Sequence, residues 1–126
     1  MTLPYSDLLL EHFRHPRNYG VLPAPDVAYE DVNPLCGDRI RMELNIGLDQ
    51  SITAVRFRGD SCIISQAAAS IWTEQIKGRH LQEVVELPQD LLLTALDITV
   101  RPSRMKCALL PFQVIRSGIA TYLSKS

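Results

Sequence analysis

Alternating apolar and polar side chains predict three consecutive β-strands in the first half of the chain. Apolar residues occupy every second position from 40 to 46, and a similar alternation runs from Ile52 to Arg58. A weaker alternation covers Val27 to Val32. Because Gly47 to Ser51 has the composition of a hairpin loop, the two stronger strands are expected to pair antiparallel.

Helical periodicity precedes and follows these strands. Tyr5 to Arg14 is predicted to form a short amphipathic helix that ends at His15-Pro16. After the strands, Ser61 is expected to cap a helix that runs through Lys77 and ends at Gly78. The remaining predicted helices are Leu81–Leu87, Gln89–Ala95 and a final helix that extends to about Leu123. Since a proline is tolerated in the first turn of a helix, Pro111 predicts a start near Leu109 or a kink.

This order of elements predicts an α+β fold, in which helices pack on one face of a small three-stranded antiparallel meander. The 126 residues are enough for one domain with its own core, expected to span residues 1–126. Apolar residues make up 46% of the chain, which is typical of globular proteins. Trp72, next to Ile71, is interpreted as a packing residue.

The charge balance argues against nucleic-acid and membrane partners. Thirteen basic and fourteen acidic residues give a net charge of -1, and no apolar stretch is long enough to span a bilayer. Asp7 and Glu11 interrupt the apolar N-terminal segment, so a signal peptide is not expected and the predicted location is cytoplasmic. In that compartment, three cysteines are expected to be free thiols or ligands rather than disulfides.

The predicted topology can bring all three cysteines together. Cys36 precedes one strong strand and Cys62 follows the next, and a hairpin places those two outer ends side by side. Cys107 lies near the start of the final helix, and Asp38 can add a fourth group from the Cys36 loop. Three sulfurs and a carboxylate suit tetrahedral zinc or an iron–sulfur cluster.

Simpler interpretations of the cysteines also fit the sequence. Cys62 and Cys107 each precede an apolar run and would also suit the core, and the sequence contains no Cys-x-x-Cys pair. The histidines have no cysteine or carboxylate at ligand spacing and are not assigned as ligands: His12, His15 and His80.

Four segments together resemble the IscU/SufU/NifU N-terminal scaffold family: YSDLLLEHFRHPRNYG, NPLCGDRIRMEL, FRGDSCIISQAAASIWTEQIKGR and PSRMKCALLPF. The resemblance runs from Tyr5 to about Tyr122 and implies the same α+β fold. It implies that the cluster or zinc ion is held by Cys36, Asp38, Cys62 and Cys107. It also implies a cysteine desulfurase as sulfur donor and apo-proteins as recipients.

Two features separate this chain from the branches of that family. The IscU branch has a histidine before the last cysteine and an LPPVK-type chaperone motif, where this chain has Lys106 and ITVRPSRMK. A dedicated Hsp70 chaperone is therefore not an expected partner. Lys106 resembles the SufU branch, but the insertion usual in that branch is missing.

The first hypothesis is a scaffold that builds a transient [2Fe–2S] cluster, with Cys107 as the persulfide acceptor and Cys62 as the second choice. Lys106 has no lone pair as an ammonium and is expected to assist the site through its charge rather than as a ligand. The alternative is a zinc-dependent sulfur acceptor that relays persulfide from the desulfurase. A structural zinc domain ranks last, because structural sites use Cys and His more than aspartate.

Overall fold

Three strands form one antiparallel sheet in the computed structural model, which describes residues 5–34 and 37–125. Their order in the sheet is β1 (Val27–Asn33), β2 (Asp38–Ile46) and β3 (Ile52–Asp60). The predicted meander is confirmed. The two longer strands extend further than their alternation indicated, since β2 begins at Asp38 and β3 continues to Asp60.

The helices flank the strands in the predicted order. They are α1 (Asp7–Arg14), α2 (Ile63–Ile76), α3 (Leu81–Glu86), α4 (Gln89–Ala95) and α5 (Met105–Ser124), with a 3-10 turn at Pro102–Arg104. Helices α2 and α5 pack on the sheet, and α1 packs on α2, so the predicted α+β class is confirmed. Within the described residues, no helix combines the length and apolar character needed to cross a membrane.

The apolar face of the sheet supplies much of the core. Leu44 pairs with Val27 on one side and with Val55 on the other, and all three are almost fully buried. On the helical side, the ring of Trp72 lies 5.4 Å from that of Phe112. Trp72 is buried, so its predicted packing role is confirmed.

The start of α2 differs from the prediction. Its N-cap is Cys62 rather than Ser61, and the Cys62 side chain makes no capping hydrogen bond. The reason is that β3 stays extended through Asp60, which moves the first helical turn past Ser61. Among the described residues the buried Ser61 hydroxyl has no hydrogen-bond partner. At the other end the helix stops at Ile76, and Gly78 follows in a left-handed conformation with φ of 88°.

Of the two alternatives predicted for α5, a start near Leu109 or a kink at Pro111, the late start is wrong. The helix begins at Met105 rather than near Leu109, so Pro111 lies in its second turn. Proline has no N–H to donate to the carbonyl four residues earlier, which here belongs to Cys107. The hydroxyl of Ser65 on α2 donates to that carbonyl oxygen across 2.7 Å. A neighbouring helix therefore supplies a donor in place of the N–H that Pro111 lacks.

Candidate metal centre

Three of the four predicted ligands lie together at one end of the sheet. Donor atoms of Asp38, Cys62 and Cys107 are all within 4.8 Å of one another. Asp38 opens β2, Cys62 caps α2, and Cys107 is in the first turn of α5. The strands bring the first two together, since β2 begins beside the end of β3.

The fourth predicted ligand, Cys36, lies outside the described residues. The residues on either side of positions 35 and 36 in the sequence are described. Asn33 and Asp38 pair across β1 and β2, and the Gly37 N–H donates to the Asn33 carbonyl over 2.8 Å. Gly37 has a φ of 76°, which a residue without a side chain adopts readily. This glycine therefore suits the tight turn that leads into Asp38.

The Asp38 carboxylate is buried and hydrogen-bonded through both oxygens. Oδ1 accepts from the backbone N–H of Cys62 at 3.0 Å, and Oδ2 lies 3.1 Å from the Ser65 hydroxyl. Sequence reasoning missed Ser65. The one available signal was a polar residue one helical turn after Cys62, inside an otherwise apolar segment.

Asn33 is a second residue that the sequence did not reveal. Its side-chain amide is buried and donates to Cys107 Sγ over 3.8 Å. An amide donor aimed at sulfur favours negative charge on that atom and helps to fix its position. Asn33 begins the NPLCGD segment, so its place beside the cysteine loop was the only hint of this contact.

The charge of Arg104 interacts with the thiols of the site. The pKa of Arg104 is raised above its ordinary value, first by the charge of Cys62, then by Cys107, and to a smaller extent by Tyr5. Lys106 is exposed and lines a groove together with Val32 and Pro34. Within the described part of the chain, Lys106 forms no ion pair.

Two helix N-termini point their positive ends at the site. Cys62 caps the 14-residue α2 and Cys107 lies in the first turn of the 20-residue α5. Neither first turn contains an acidic residue that would offset this field. The free N–H groups and the helix dipole stabilise negative charge, so both positions suit thiolate ligands.

The donor set fits a thiophilic metal. Tetrahedral zinc with Zn–S bonds of about 2.3 Å places its ligands roughly 3.8 Å apart. The three described donors lie within 4.8 Å of one another, so small side-chain movements would bring them to that spacing. Cys107 is buried, whereas Cys62 is half-buried and leaves a route to the site from solvent. Asp38, Cys62 and Cys107 are therefore the described residues that would hold a metal.

Comparison with known proteins identifies the family. Residues 4–126 match the model of the NifU-like N-terminal domain. The zinc-dependent sulfurtransferase SufU of Bacillus subtilis is 30% identical, with 92% of this chain and 89% of that protein aligned. The iron–sulfur cluster assembly scaffold protein IscU of Azotobacter vinelandii is also 30% identical, over 98% and 97% of the two chains.

Solved structures agree with this assignment. A putative scaffold protein of the SUF system from Fervidobacterium islandicum superimposes with a TM-score of 0.78 at 25% identity, covering 91% of this chain and 96% of its own. A NifU-like N-terminal protein from Brucella abortus has the same fold, with a TM-score of 0.81, 18% identity and coverage of 98% and 96%. This chain therefore belongs to the NifU-like N-terminal domain family, together with IscU and SufU proteins.

Proposed function

We propose that this protein is a scaffold on which iron–sulfur clusters are assembled before transfer to other proteins. The observation that carries the proposal is the convergence of Asp38, Cys62 and Cys107 beside two helix N-termini. Relatives of similar length from Azotobacter vinelandii and Rickettsia prowazekii are named as such scaffolds. The predicted fourth ligand is Cys36.

Sulfur would arrive as a persulfide on a cysteine desulfurase. A thiolate of this chain, proposed to be Cys107, attacks the outer sulfur of that persulfide. The S–S bond of the donor breaks, the donor cysteine leaves as a thiolate, and the new S–S bond is on Cys107. Arg104 lies where its charge can stabilise the attacking and transferred sulfur atoms, and Lys106 remains a proposed auxiliary charge.

The cargo would be a [2Fe–2S] cluster bound by Cys36, Asp38, Cys62 and Cys107 and then passed to apo-proteins. Ferrous iron and an external thiol reductant would supply the electrons that convert the persulfide sulfur to sulfide. Thiolates suit iron in such clusters better than carboxylates do. Asp38 is therefore the ligand most easily exchanged for one from a recipient protein. A cytoplasmic location and the lack of a dedicated Hsp70 partner remain predictions from the sequence.

A zinc-dependent sulfur relay is the second candidate, and one observation favours it. The three described donors lie within 4.8 Å of one another, near the spacing of the ligands of a single ion, and two thiolates with a carboxylate are acceptable zinc ligands. The Bacillus subtilis relative is named as a zinc-dependent sulfurtransferase. Zinc bound here would keep the thiols deprotonated until one of them accepts sulfur.

Anaerobic reconstitution and metal analysis distinguish these functions. The purified protein is analysed for zinc, then incubated with ferrous iron, cysteine and a cysteine desulfurase, and desalted. A visible chromophore that survives desalting and transfers to an apo-ferredoxin supports the scaffold. Stoichiometric zinc that iron does not displace, with faster desulfurase turnover, supports the relay. Neither metal nor cluster bound would contradict both functions.

A further inference from the structure

Ser65 contacts each of the three described residues of the candidate metal centre. Its hydroxyl lies 3.1 Å from Asp38 Oδ2, 2.7 Å from the Cys107 carbonyl oxygen and 3.8 Å from Cys62 Sγ. The side chain is fully buried in the first turn of α2. One hydroxyl thus connects the strand and the two helices that form the site.

The Ser65 hydroxyl has one hydrogen to donate but lies within hydrogen-bond distance of two acceptors. A serine O–H donates one hydrogen bond, and both the Asp38 carboxylate and the Cys107 carbonyl accept. The two acceptors therefore compete for the same hydrogen. The shorter distance favours donation to Cys107 in the arrangement observed.

Pro111 explains why the Cys107 carbonyl does not have its usual N–H donor within the helix. An ordinary residue at position 111 would donate its N–H to the Cys107 carbonyl as part of the helix. Proline cannot donate, and it lies in the interior of α5. The Ser65 hydroxyl takes the place of that missing N–H and so stabilises the turn of α5 that carries Cys107.

We propose that Ser65 is a positioning residue whose hydroxyl is shared between Asp38 and the Cys107 carbonyl. The contact with Asp38 Oδ2 and the donation to the Cys107 carbonyl hold these two proposed ligands in fixed positions relative to each other. Ser65 thereby orients Asp38 and Cys107 for metal binding without binding the metal itself. This inference rests on the proposed metal-binding role of Asp38, Cys62 and Cys107.

The first test compares zinc affinity in Ser65→Ala and Ser70→Ala proteins. Ser70 is a matched control, because it is also fully buried on α2 but pairs with His12 at 2.7 Å and with the Arg17 N–H at 2.8 Å. Competition with a chromophoric chelator should show about 10- to 100-fold weaker zinc binding for Ser65→Ala, the usual effect of losing a residue that orients ligands. The Ser70→Ala affinity should stay near wild type.

Cobalt substitution adds a spectroscopic readout. The visible ligand-field bands of bound Co²⁺ report the geometry of its ligands, so they should shift in Ser65→Ala and coincide with wild type in Ser70→Ala. Superimposable spectra of all three proteins, with equal zinc affinities, would overturn the proposal. Wild-type protein that binds no zinc or cobalt would instead contradict the proposed metal site.

The second test uses metal-free protein and a double-mutant cycle with Pro111→Ala. Alanine at position 111 restores the N–H that can donate to the Cys107 carbonyl. Urea unfolding should therefore show that Ser65→Ala destabilises the Pro111→Ala protein less than it destabilises wild type. Strictly additive changes would reject the link between Ser65 and Pro111. If Ser65→Ala alone is too unstable for the zinc assay, the same comparison is made in the Pro111→Ala background.

Discussion

The Asp38 carboxylate accepts a hydrogen bond from the backbone N–H of Cys62, with 3.0 Å between Oδ1 and N. This bond joins the first residue of β2 to the N-cap of α2. It means that one proposed metal ligand fixes the backbone position of another. Asp38 therefore has a structural task in addition to its proposed role as the exchangeable ligand.

Substitutions at Asp38 should separate these two roles. Asp38→Ala removes both hydrogen bonds of a buried group, so it should lower the free energy of unfolding of the metal-free protein by about 1–3 kcal/mol. Asp38→Asn keeps an acceptor for the Cys62 N–H and can donate to Ser65, but it loses the anionic ligand. It should unfold at nearly the wild-type urea concentration and bind zinc or the cluster more weakly.

Chemical denaturation and chelator competition on the same samples measure both effects. Asp38→Asn protein with wild-type metal affinity and wild-type cluster transfer would remove Asp38 from the metal site. Equal stability of Asp38→Ala and wild type would contradict the structural role.

Much of the fold was predictable because its strands have one apolar face. Alternation from residue 40 to 46 and from Ile52 to Arg58 gave the central pairing directly, and a hairpin of this length places Asp38 beside Cys62. The site could be predicted as a meeting of strand ends and helix starts. The periodicity of apolar residues is enough to predict the site at that level of detail.

The rest depended on contacts that local pattern does not encode. Lys106 was predicted to assist the site because it precedes Cys107 in the sequence, and Arg104 was not predicted to be a site residue. In the structure the charge of Arg104 interacts with Cys62 and Cys107, whereas Lys106 lines a groove with Val32 and Pro34. The late start predicted for α5 arose because the donor that accommodates Pro111 comes from Ser65, a residue distant in sequence.

The stability of the metal-free protein should fall as the pH drops below 6.5. The pKa of His12 is lowered from its ordinary value of 6.5, mainly by burial and further by Arg17, against the opposing charges of Glu74 and Glu11. Below pH 6.5 the unfolded chain therefore takes up a proton that the folded chain resists. The free energy of unfolding falls by at most about 1.4 kcal/mol per pH unit until the folded pKa is passed.

Urea denaturation between pH 8 and pH 5 tests this effect. His12→Gln should flatten the decline over that range, whereas His15→Gln should not, because His15 is exposed at the end of α1. An unchanged pH profile in His12→Gln would show that another group is responsible.

The sulfur acceptor can be identified by mass spectrometry of single cysteine variants. Cys107 is the proposed acceptor, although it is buried and Cys62 is the more exposed thiol. After incubation with a desulfurase and cysteine, the additional sulfur should be on Cys107 in wild type and absent in Cys107→Ser. Persulfide confined to Cys62 or Cys36 would instead overturn the assignment of Cys107 as the acceptor.

Arg104 and Lys106 should differ in their effect on sulfur transfer, because the charge of Arg104 interacts with the thiols and Lys106 lines the groove beside Val32 and Pro34. Arg104 is exposed, and its charge interacts with both Cys62 and Cys107. Arg104→Gln should therefore slow persulfide formation several-fold while leaving the urea midpoint unchanged. Lys106→Ala is expected to slow it less, through a weaker electrostatic effect.

Transfer rates measured at low and high salt distinguish a local charge from a structural effect. The difference between wild type and Arg104→Gln should narrow as salt screens the guanidinium, because exposed charges are screened over about 10 Å at 0.1 M. Arg104→Lys, which keeps the charge, should recover part of the rate. If Lys106→Ala is the slower variant and Arg104→Gln behaves as wild type, then the charge that assists sulfur acceptance is that of Lys106 and not that of Arg104.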